Sequence, residues 1–194
     1  MEVNYPNWFE VTAKSNFDTF LKDLKNKSNL KFLQLGVYTG DASLWICENI
    51  FFDETCSLTD VDTWLGSDED AHRKINFNDV FTVYKNKIKK YSSTIKIKKE
   101  YTLSFLANEL TSLENNYDFI YIDADHKAAS VLVDAELSWP LLKSGGIMAF
   151  DDYNWGARLP EFERPKTGID LFLNKYKNKF NILTINQQVW IQKN

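Results

Sequence analysis

The chain has 194 residues, 44% hydrophobic and 15% aromatic, with a formal charge of −4 at pH 7. This composition excludes a disordered chain, and the negative charge argues against nucleic acid as a partner. No apolar run approaches the roughly 20 residues of a membrane span, and the acidic N-terminus lacks the apolar segment of a signal peptide. We therefore predict a single cytoplasmic domain over residues 1–194 with no membrane partner.

Strand and helix patterns alternate along the chain. After an aromatic N-terminal segment, Ser15 and Asp18 form a capping-box pattern ahead of an apolar helical stripe. The predicted strands are 30–35, 56–61, 94–98, 117–122, 147–150, 180–186 and 188–192. The predicted helices between them are 41–52, 74–91, 103–113, 127–139 and 168–178. Gly145 and Gly146 are expected to turn the chain into the fifth strand.

This alternation predicts the fold class. Strand–helix–strand units are right-handed and build a parallel sheet that helices cover on both faces. The last two predicted strands are joined so tightly that they must be antiparallel. We predict an α/β, Rossmann-like, doubly wound seven-stranded sheet, mostly parallel, with a C-terminal antiparallel hairpin.

Three further patterns concern the surface and the cysteines. Cys47 and Cys56 lie in apolar stretches without CxxC spacing, so we interpret them as buried thiols rather than a disulfide or metal site. Residues 85–99 contain seven lysines, which form either a basic patch for an anionic partner or, as favoured here, a solvated face running into an edge strand. The aromatic side chains of Trp8, Phe9 and Trp155 leave a homodimer open.

A glycine turn follows the first predicted strand. Gly36 and Gly40 allow a sharp turn and close ligand approach, and the next helix start offers free N–H groups. The GxxxG spacing, rather than GxGxxG, favours S-adenosylmethionine over a dinucleotide. Asp62 lies 22 positions after Gly40, near the spacing at which an acid binds ribose hydroxyls. Trp64 could flank the adenine or cover the edge of the core.

Paired acids follow the fourth and fifth predicted strands. Asp123 and Asp125 come after one, and Asp151 and Asp152 after the other. Such a cluster repels itself unless a cation or shared protons compensate, and a divalent cation prefers oxygen ligands. Asp123, Asp151 and Asp152 would leave open positions for a substrate hydroxyl, and Asp125 or His126 could take its proton. Alternatively, some of these acids cap the following helices.

Four stretches of the sequence carry a resemblance to a known family: LQLGVYTGDAS, TDVDTWLGSDEDAH, FIYIDADHKAASVLVDAELSWPLLKSGGIMAFDDYNW and PKTGIDLFL. Together they span about residues 30–175. They resemble metal-dependent class I O-methyltransferases of the methyltransferase 24 type, cousins of the macrolide-sugar and aminocoumarin-sugar enzymes. The resemblance implies methyl transfer from S-adenosylmethionine to a small hydroxyl acceptor such as a sugar, assisted by Mg²⁺.

The resemblance also implies roles for individual residues. The cofactor-binding residues would be Gly36, Tyr38, Gly40, Ser43, Asp62, Trp64, Tyr101, Thr102 and Asp123. The metal ligands fall on Asp123, Asp151 and Asp152, and the base on Asp125, with His126 beside it. There are departures, since Gln34 stands where the family usually has glutamate, and His126 follows the D-x-D where the sugar enzymes more often have tyrosine one position later.

Three functions stay open at this point. The first is a metal-dependent O-methyltransferase, the second a metal-independent methyltransferase with His126 or Asp125 as base, and the third a non-catalytic scaffold that binds the cofactor. Four crowded carboxylates favour an enzyme over a scaffold. The loop 153–167 either borders the acceptor or is an ordinary surface loop, and His72 could reach the acceptor side.

Overall fold

The structure is a computed structural model that describes residues 5–67, 75–110 and 114–194. His72 lies outside the described residues. The strands are β1 (Lys31–Leu35), β2 (Ser57–Asp62), β3 (Ile95–Lys99), β4 (Tyr117–Ile122), β5 (Leu142–Phe150), β6 (Phe180–Ile185) and β7 (Val189–Lys193). The helices are α1 (Lys14–Phe20), α2 (Asp41–Asn49), α3 (Phe77–Lys87), α4 (Thr102–Glu109), α5 (Ala128–Ser138) and α6 (Pro165–Lys175).

All seven strands form one sheet in the order β3-β2-β1-β4-β5-β7-β6. The pairs from β3 to β5 are parallel, whereas β7 runs antiparallel to both β5 and β6. The predicted fold class is therefore confirmed, including the C-terminal antiparallel hairpin. Because the strand order reverses between β1 and β4, their carboxyl ends open a crevice of the kind in which ligands bind in such sheets.

Both faces of the sheet are covered by apolar layers. Along β4, Phe119 and Tyr121 point into the layer that contains Phe17 of α1. Ile120 and Ile122 point into the opposite layer, under α5 and α6. A central parallel strand is buried on both sides, so its sequence, YDFIYI, reads as an almost continuous apolar run.

The N-terminal helix begins earlier than the capping-box pattern predicts. A π-helical turn over Phe9–Ala13 leads directly into α1, so Ser15 lies inside the helix and does not cap it. Asn7 Oδ1 accepts a hydrogen bond from Glu10 N at 3.0 Å at the true start. The Phe9 ring packs against Phe17 at 5.0 Å between ring centroids. This tertiary contact stabilises a first turn that has no strong local signal.

The starts of β5 and α6 also differ from the prediction. β5 starts at Leu142, so Gly145 and Gly146 lie within the strand, where the pairing with β4 shifts register. Such an irregularity uses the freedom of glycine, and Gly145 has a φ of 77°. α6 starts at Pro165 rather than at residue 168, because proline is well suited to the first helical position.

The cysteines and the basic segment have ordinary environments. Cys47 and Cys56 are buried and free, as predicted. Lys87 Nζ forms an ion pair with Asp41 Oδ1 at 2.7 Å. The lysines of β3 belong to an edge strand that is mostly solvent-exposed. Across the described ranges, no helix is both long and apolar enough to span a membrane.

Candidate active site

The glycine turn after β1 requires its glycines. Gly36 has a φ of 83°, and a Cβ there would lie 1.9 Å from the Asp123 carbonyl oxygen. Gly40 has a φ of 77° and precedes α2, and a Cβ there would lie 2.5 Å from the Tyr84 ring. Tyr38 between them also has a positive φ, 53°. The turn therefore passes directly against the backbone of Asp123, the residue after β4.

Asp62 holds this turn in place. Its Oδ2 accepts hydrogen bonds from Val37 N at 2.7 Å and Tyr38 N at 3.0 Å. Its Oδ1 accepts one from Trp64 N at 2.7 Å. A carboxylate offers about four lone-pair sites, so one acceptor site on Oδ1 remains for a ligand. The predicted ribose contact stays a prediction, and the structure adds a backbone-holding role that sequence spacing did not reveal.

Trp64 belongs to the core. Its side chain is 2% exposed and packs against Phe81 and Tyr84, with ring centroids 4.7 and 4.8 Å away. Its Nε1 donates to Tyr38 O at 2.9 Å. Of the two sequence-based alternatives, the structure places Trp64 at the edge of the core, where it supports the turn from behind.

A buried polar group lies beneath the turn. Gln34 Nε2 donates to Gly36 O at 2.9 Å, and Ser43 Oγ, fully buried, donates to Gln34 Oε1 at 3.2 Å. Asp60 stands beside Gln34 in register and accepts from Tyr84 OH at 2.8 Å. Burial raises the pKa of Asp60 to about 7. Sequence reasoning missed Asp60, although an acid inside an apolar strand was a visible signal.

The side predicted to face adenine is formed by the start of α4. Tyr101 precedes the helix and is 65% exposed. Thr102 Oγ1 donates to Asp134 Oδ1 of α5 at 2.7 Å, so its hydroxyl serves helix packing. Asp134 is buried, which raises its pKa to about 7. Tyr101 is therefore the more accessible of the two predicted residues.

The acids after β4 and β5 are brought together by the parallel ladder. Asp123 N donates to Leu35 O at 2.8 Å, and Asp151 N donates to Ile122 O at 3.0 Å. Among the described side chains, Asp123, His126 and Asp152 each offer a ligand atom, and these atoms lie within 4.8 Å of one another. His126 Nε2 lies 2.7 Å from Asp152 Oδ2.

Mutual repulsion is strong in this acid cluster of Asp123, Asp151 and Asp152. Burial, together with Asp151 and Asp152, raises the pKa of Asp123 well above its usual range. Burial and the neighbouring Asp152 raise the pKa of Asp151 to about 6. A divalent cation would relieve this repulsion, and a donor set of carboxylates and one imidazole suits several such cations.

The structure differs from the predicted ligand set in one member. Both oxygens of Asp151 accept protein hydrogen bonds, Oδ2 from Tyr121 OH and Oδ1 from Asp152 N at 2.8 Å. His126, rather than Asp151, completes the group of converging ligand atoms. The set Asp123, Asp151 and Asp152 thus stays a prediction, with two of its members in that group.

The two candidate bases have different surroundings. Asp125 accepts from Ser130 Oγ at 2.6 Å and from Lys127 N at 3.2 Å, which is how an acid stabilises a helix start. His126 instead faces the acid cluster. Its ring packs against that of Trp155, in the segment after β5, with ring centroids 4.4 Å apart. His126 is thus the one of the two that lies beside the acid cluster, and the catalytic role of either residue stays a prediction.

A family described as a methyltransferase domain matches residues 33–153, which include the glycine turn, Asp62 and the acid cluster. No protein of curated function matches the sequence.

Three solved structures share the fold. A candidate rRNA methylase from Clostridium thermocellum has a TM-score of 0.66 and 11% identity, covering 99% of this chain and 100% of its own. An O-methyltransferase from Bacillus cereus, in complex with SAH, has a TM-score of 0.60 and 13% identity, covering 100% and 94%. MycE from the mycinamycin biosynthetic pathway, in complex with Mg, SAH and mycinamycin VI, has a TM-score of 0.62 and 14% identity, covering 99% and 51%.

At such low identity these structures show the fold alone. The family match carries the assignment, because it spans more than half of the chain and contains the residues of the site. The resemblance seen in the sequence is confirmed. The chain belongs to this methyltransferase domain family and is a class I S-adenosylmethionine-dependent methyltransferase.

Proposed function

We propose that this enzyme methylates a hydroxyl oxygen of a small acceptor such as a sugar, with the help of a divalent cation. One observation carries the proposal: the glycine turn packs against the backbone of Asp123, the first member of the acid cluster. A methyl donor in the turn and a hydroxyl at the acids would therefore share one crevice. Such alignment is the main contribution that an enzyme makes when the donor is already activated.

The cofactor would be held largely by backbone and by Asp62. The start of α2, after Gly40, offers N–H groups that suit the carboxylate of the methionine part. The remaining acceptor site on Asp62 Oδ1 suits a ribose hydroxyl. Tyr101, exposed at the start of α4, is placed for contact with the adenine. The B. cereus neighbour, solved with SAH, supports this use of the fold.

The cation would be held by Asp123 and Asp152, which belong both to the predicted set and to the converging group. His126 and Asp151 are the two candidates for the third protein ligand. When bound, a divalent cation lowers the pKa of a coordinated hydroxyl and orients it. The chain itself contributes two carboxylates, the half-buried imidazole of His126 and the Trp155 ring that packs on it. The neighbour MycE, solved with Mg, supports the proposal.

A second mechanism rests on the contact between His126 and Asp152. A carboxylate 2.7 Å from a histidine fixes the orientation of the imidazole ring, as in other base–carboxylate pairs. In that case His126 takes the acceptor proton without a cation, and Asp152 is its positioning residue.

Binding and turnover measurements separate these proposals. Titration calorimetry with SAH should show saturable binding, and its absence would refute the cofactor assignment. Transfer of a labelled methyl group to a panel of sugars should then be measured with EDTA and with added Mg²⁺ or Mn²⁺. Loss of turnover in EDTA supports the cation, whereas unchanged turnover that disappears in His126→Ala supports the histidine base. Comparison of Mn²⁺ affinity in His126→Ala and Asp151→Asn identifies the third ligand.

A further inference from the structure

A chain of buried hydrogen bonds runs from the N-terminal helix to the acid cluster. It starts at Asn16 of α1, passes through Gln188 in the turn between β6 and β7, and reaches Tyr121 of β4 and then Asp151. These residues are 30 to 172 positions apart in sequence. The first three side chains are buried, at 7%, 0% and 1% exposure.

Gln188 is the centre of this hydrogen-bond network. Its Oε1 accepts hydrogen bonds from Asn16 Nδ2 and from Trp190 Nε1, each at 2.8 Å. Its Nε2 donates to Tyr121 OH at 3.4 Å, and its side chain also hydrogen-bonds the Asp151 carboxylate. An amide has two donor hydrogens and two acceptor lone pairs, so every hydrogen-bonding site of Gln188 is used.

The hydrogen-bond network ends at two acids, Asp151 and Asp152, and holds both in position. Tyr121 OH donates to Asp151 Oδ2, and Asp151 Oδ1 accepts from Asp152 N at 2.8 Å. The Gln188 side chain also forms a hydrogen bond that lowers the pKa of Asp151. Asp152 has a φ of 56°, a left-handed conformation that is costly for a residue other than glycine. The hydrogen bond from its own N–H to Asp151 helps to hold this conformation, which directs Asp152 Oδ2 towards His126.

At the other end of the network, Asn16 of α1 holds the turn between β6 and β7. Asn16 and Asn186 exchange hydrogen bonds at 3.2 and 3.1 Å between their amide groups. Asn186 Oδ1 also accepts from Gln188 N at 2.8 Å, which fixes the backbone of the turn. Helix α1 thereby sets the position from which Gln188 reaches the acid cluster.

We propose that Gln188 is a positioning residue: by holding Tyr121 and Asp151, it keeps Asp152 in the orientation in which the acid cluster binds a divalent cation. The inference rests on the proposed function. A buried network in which every group is satisfied specifies one geometry, and this specificity is what ligand side chains of a metal site need.

Two variants at the same turn test the proposal. Gln188→Met keeps the length of the side chain and removes all of its hydrogen bonds. Trp190→Phe is the matched control, because it removes a buried donor to Gln188 Oε1 but leaves the amide donors that face Tyr121 and Asp151. For both variants, titration calorimetry measures the affinity for Mn²⁺ and, separately, for SAH. Thermal unfolding measures the melting temperature in parallel.

The expected result separates the two variants. Gln188→Met should weaken Mn²⁺ binding about 10- to 100-fold, the usual effect of removing a partner of a metal ligand. Its SAH affinity should stay within about twofold of the wild type, since the glycine turn is untouched. Trp190→Phe should lower the melting temperature but leave Mn²⁺ affinity unchanged. Tyr121→Phe, which deletes a single hydroxyl, should reproduce the Mn²⁺ effect and serves as the test if Gln188→Met does not fold.

Several outcomes would overturn the proposal. One is wild-type Mn²⁺ affinity in Gln188→Met or, if that variant is unfolded, in Tyr121→Phe. Another is an equal loss of affinity in Trp190→Phe, which would indicate general loosening of the hairpin. A wild-type protein that binds SAH but not Mn²⁺ would also overturn it, leaving the methyltransferase assignment intact. Absence of SAH binding in the wild type would instead refute the cofactor assignment.

Discussion

The glycine turn and the acid cluster lie side by side but are stabilised in opposite ways. At the turn, one carboxylate, Asp62, meets three backbone N–H groups, so charge and partners are balanced. At the cluster, carboxylates face one another, and both Asp123 and Asp151 have raised pKa values. The turn is complete without a ligand, whereas the cluster stores repulsion that a bound cation would relieve.

This difference indicates a division of labour. In the proposed function, a turn held by backbone hydrogen bonds would present a fixed surface to the part of the cofactor that every reaction cycle shares. A cluster with unfavourable charge is kept in place by contacts made elsewhere in the fold, such as those of Gln188. Local stability would therefore be lower at the proposed reaction site than at the glycine turn, as is common in enzymes.

The largest expected effect comes from Gly36→Ala, which would disrupt both regions at once. The added methyl group would overlap the Asp123 carbonyl oxygen, 1.9 Å away. Because a backbone atom cannot move aside as a side chain can, we expect a loss of at least about 4 kcal/mol in the free energy of unfolding, together with loss of SAH binding. Urea unfolding and calorimetry measure these.

Gly145→Ala is the matched control for this change. Gly145 has a similar φ, 77°, but nothing lies within 4 Å of an added Cβ. Only the backbone strain remains, about 1 kcal/mol, and SAH affinity should not change. Equal destabilisation by the two substitutions would show that the close approach at Gly36 is unimportant.

The second prediction compares the two regions directly, in cation-free buffer at pH 8. Asp62→Asn replaces one of the two acceptor oxygens by an NH2 group that faces at least one backbone N–H donor, so we expect it to lower the free energy of unfolding by about 2 kcal/mol. Asp123→Asn should instead raise the melting temperature, because burial and two neighbouring carboxylates disfavour the ionised form of Asp123, and the asparagine carries no such form. Chemical and thermal unfolding of both variants check this. A destabilised Asp123→Asn would contradict the stored repulsion.

The smallest effect, when it is measured per pH unit, concerns a buried acid on the side of the turn. The pKa of Asp60 is about 7 in the fold, against an ordinary value of 3.8. Between these values the folded protein binds more protons than the unfolded chain, so the free energy of unfolding falls as pH rises through about 4 to 7. One group contributes at most about 1.4 kcal/mol per pH unit.

Asp60→Asn should flatten this slope, as measured by urea unfolding across the pH range. Asp134→Asn should flatten it to a similar extent, because the pKa of Asp134 is also raised to about 7 by burial. An unchanged slope in Asp60→Asn would mean that the Asp60 carboxylate is already ionised at low pH. Asp60, like Asp62, would then be a charged group with sufficient hydrogen-bond partners.

The sequence by itself determined the fold class and the composition of the site. Alternating strand and helix periods are local properties, so they predicted the mostly parallel sheet and its C-terminal hairpin. Gly36, Asp62, Asp123 and Asp151 were recognisable because ligands bind at the carboxyl ends of parallel strands, a rule that needs only the order of elements.

Only the tertiary structure decided what each of these side chains contacts. Trp64 turned into the core, Asp62 towards the backbone of the turn, and Asp125 towards the start of α5. Gln188 gave no local signal, since its partners Asn16 and Tyr121 lie 172 and 67 positions away. The direction of a side chain depends on packing between distant segments, and spacing along a single sequence does not contain that information.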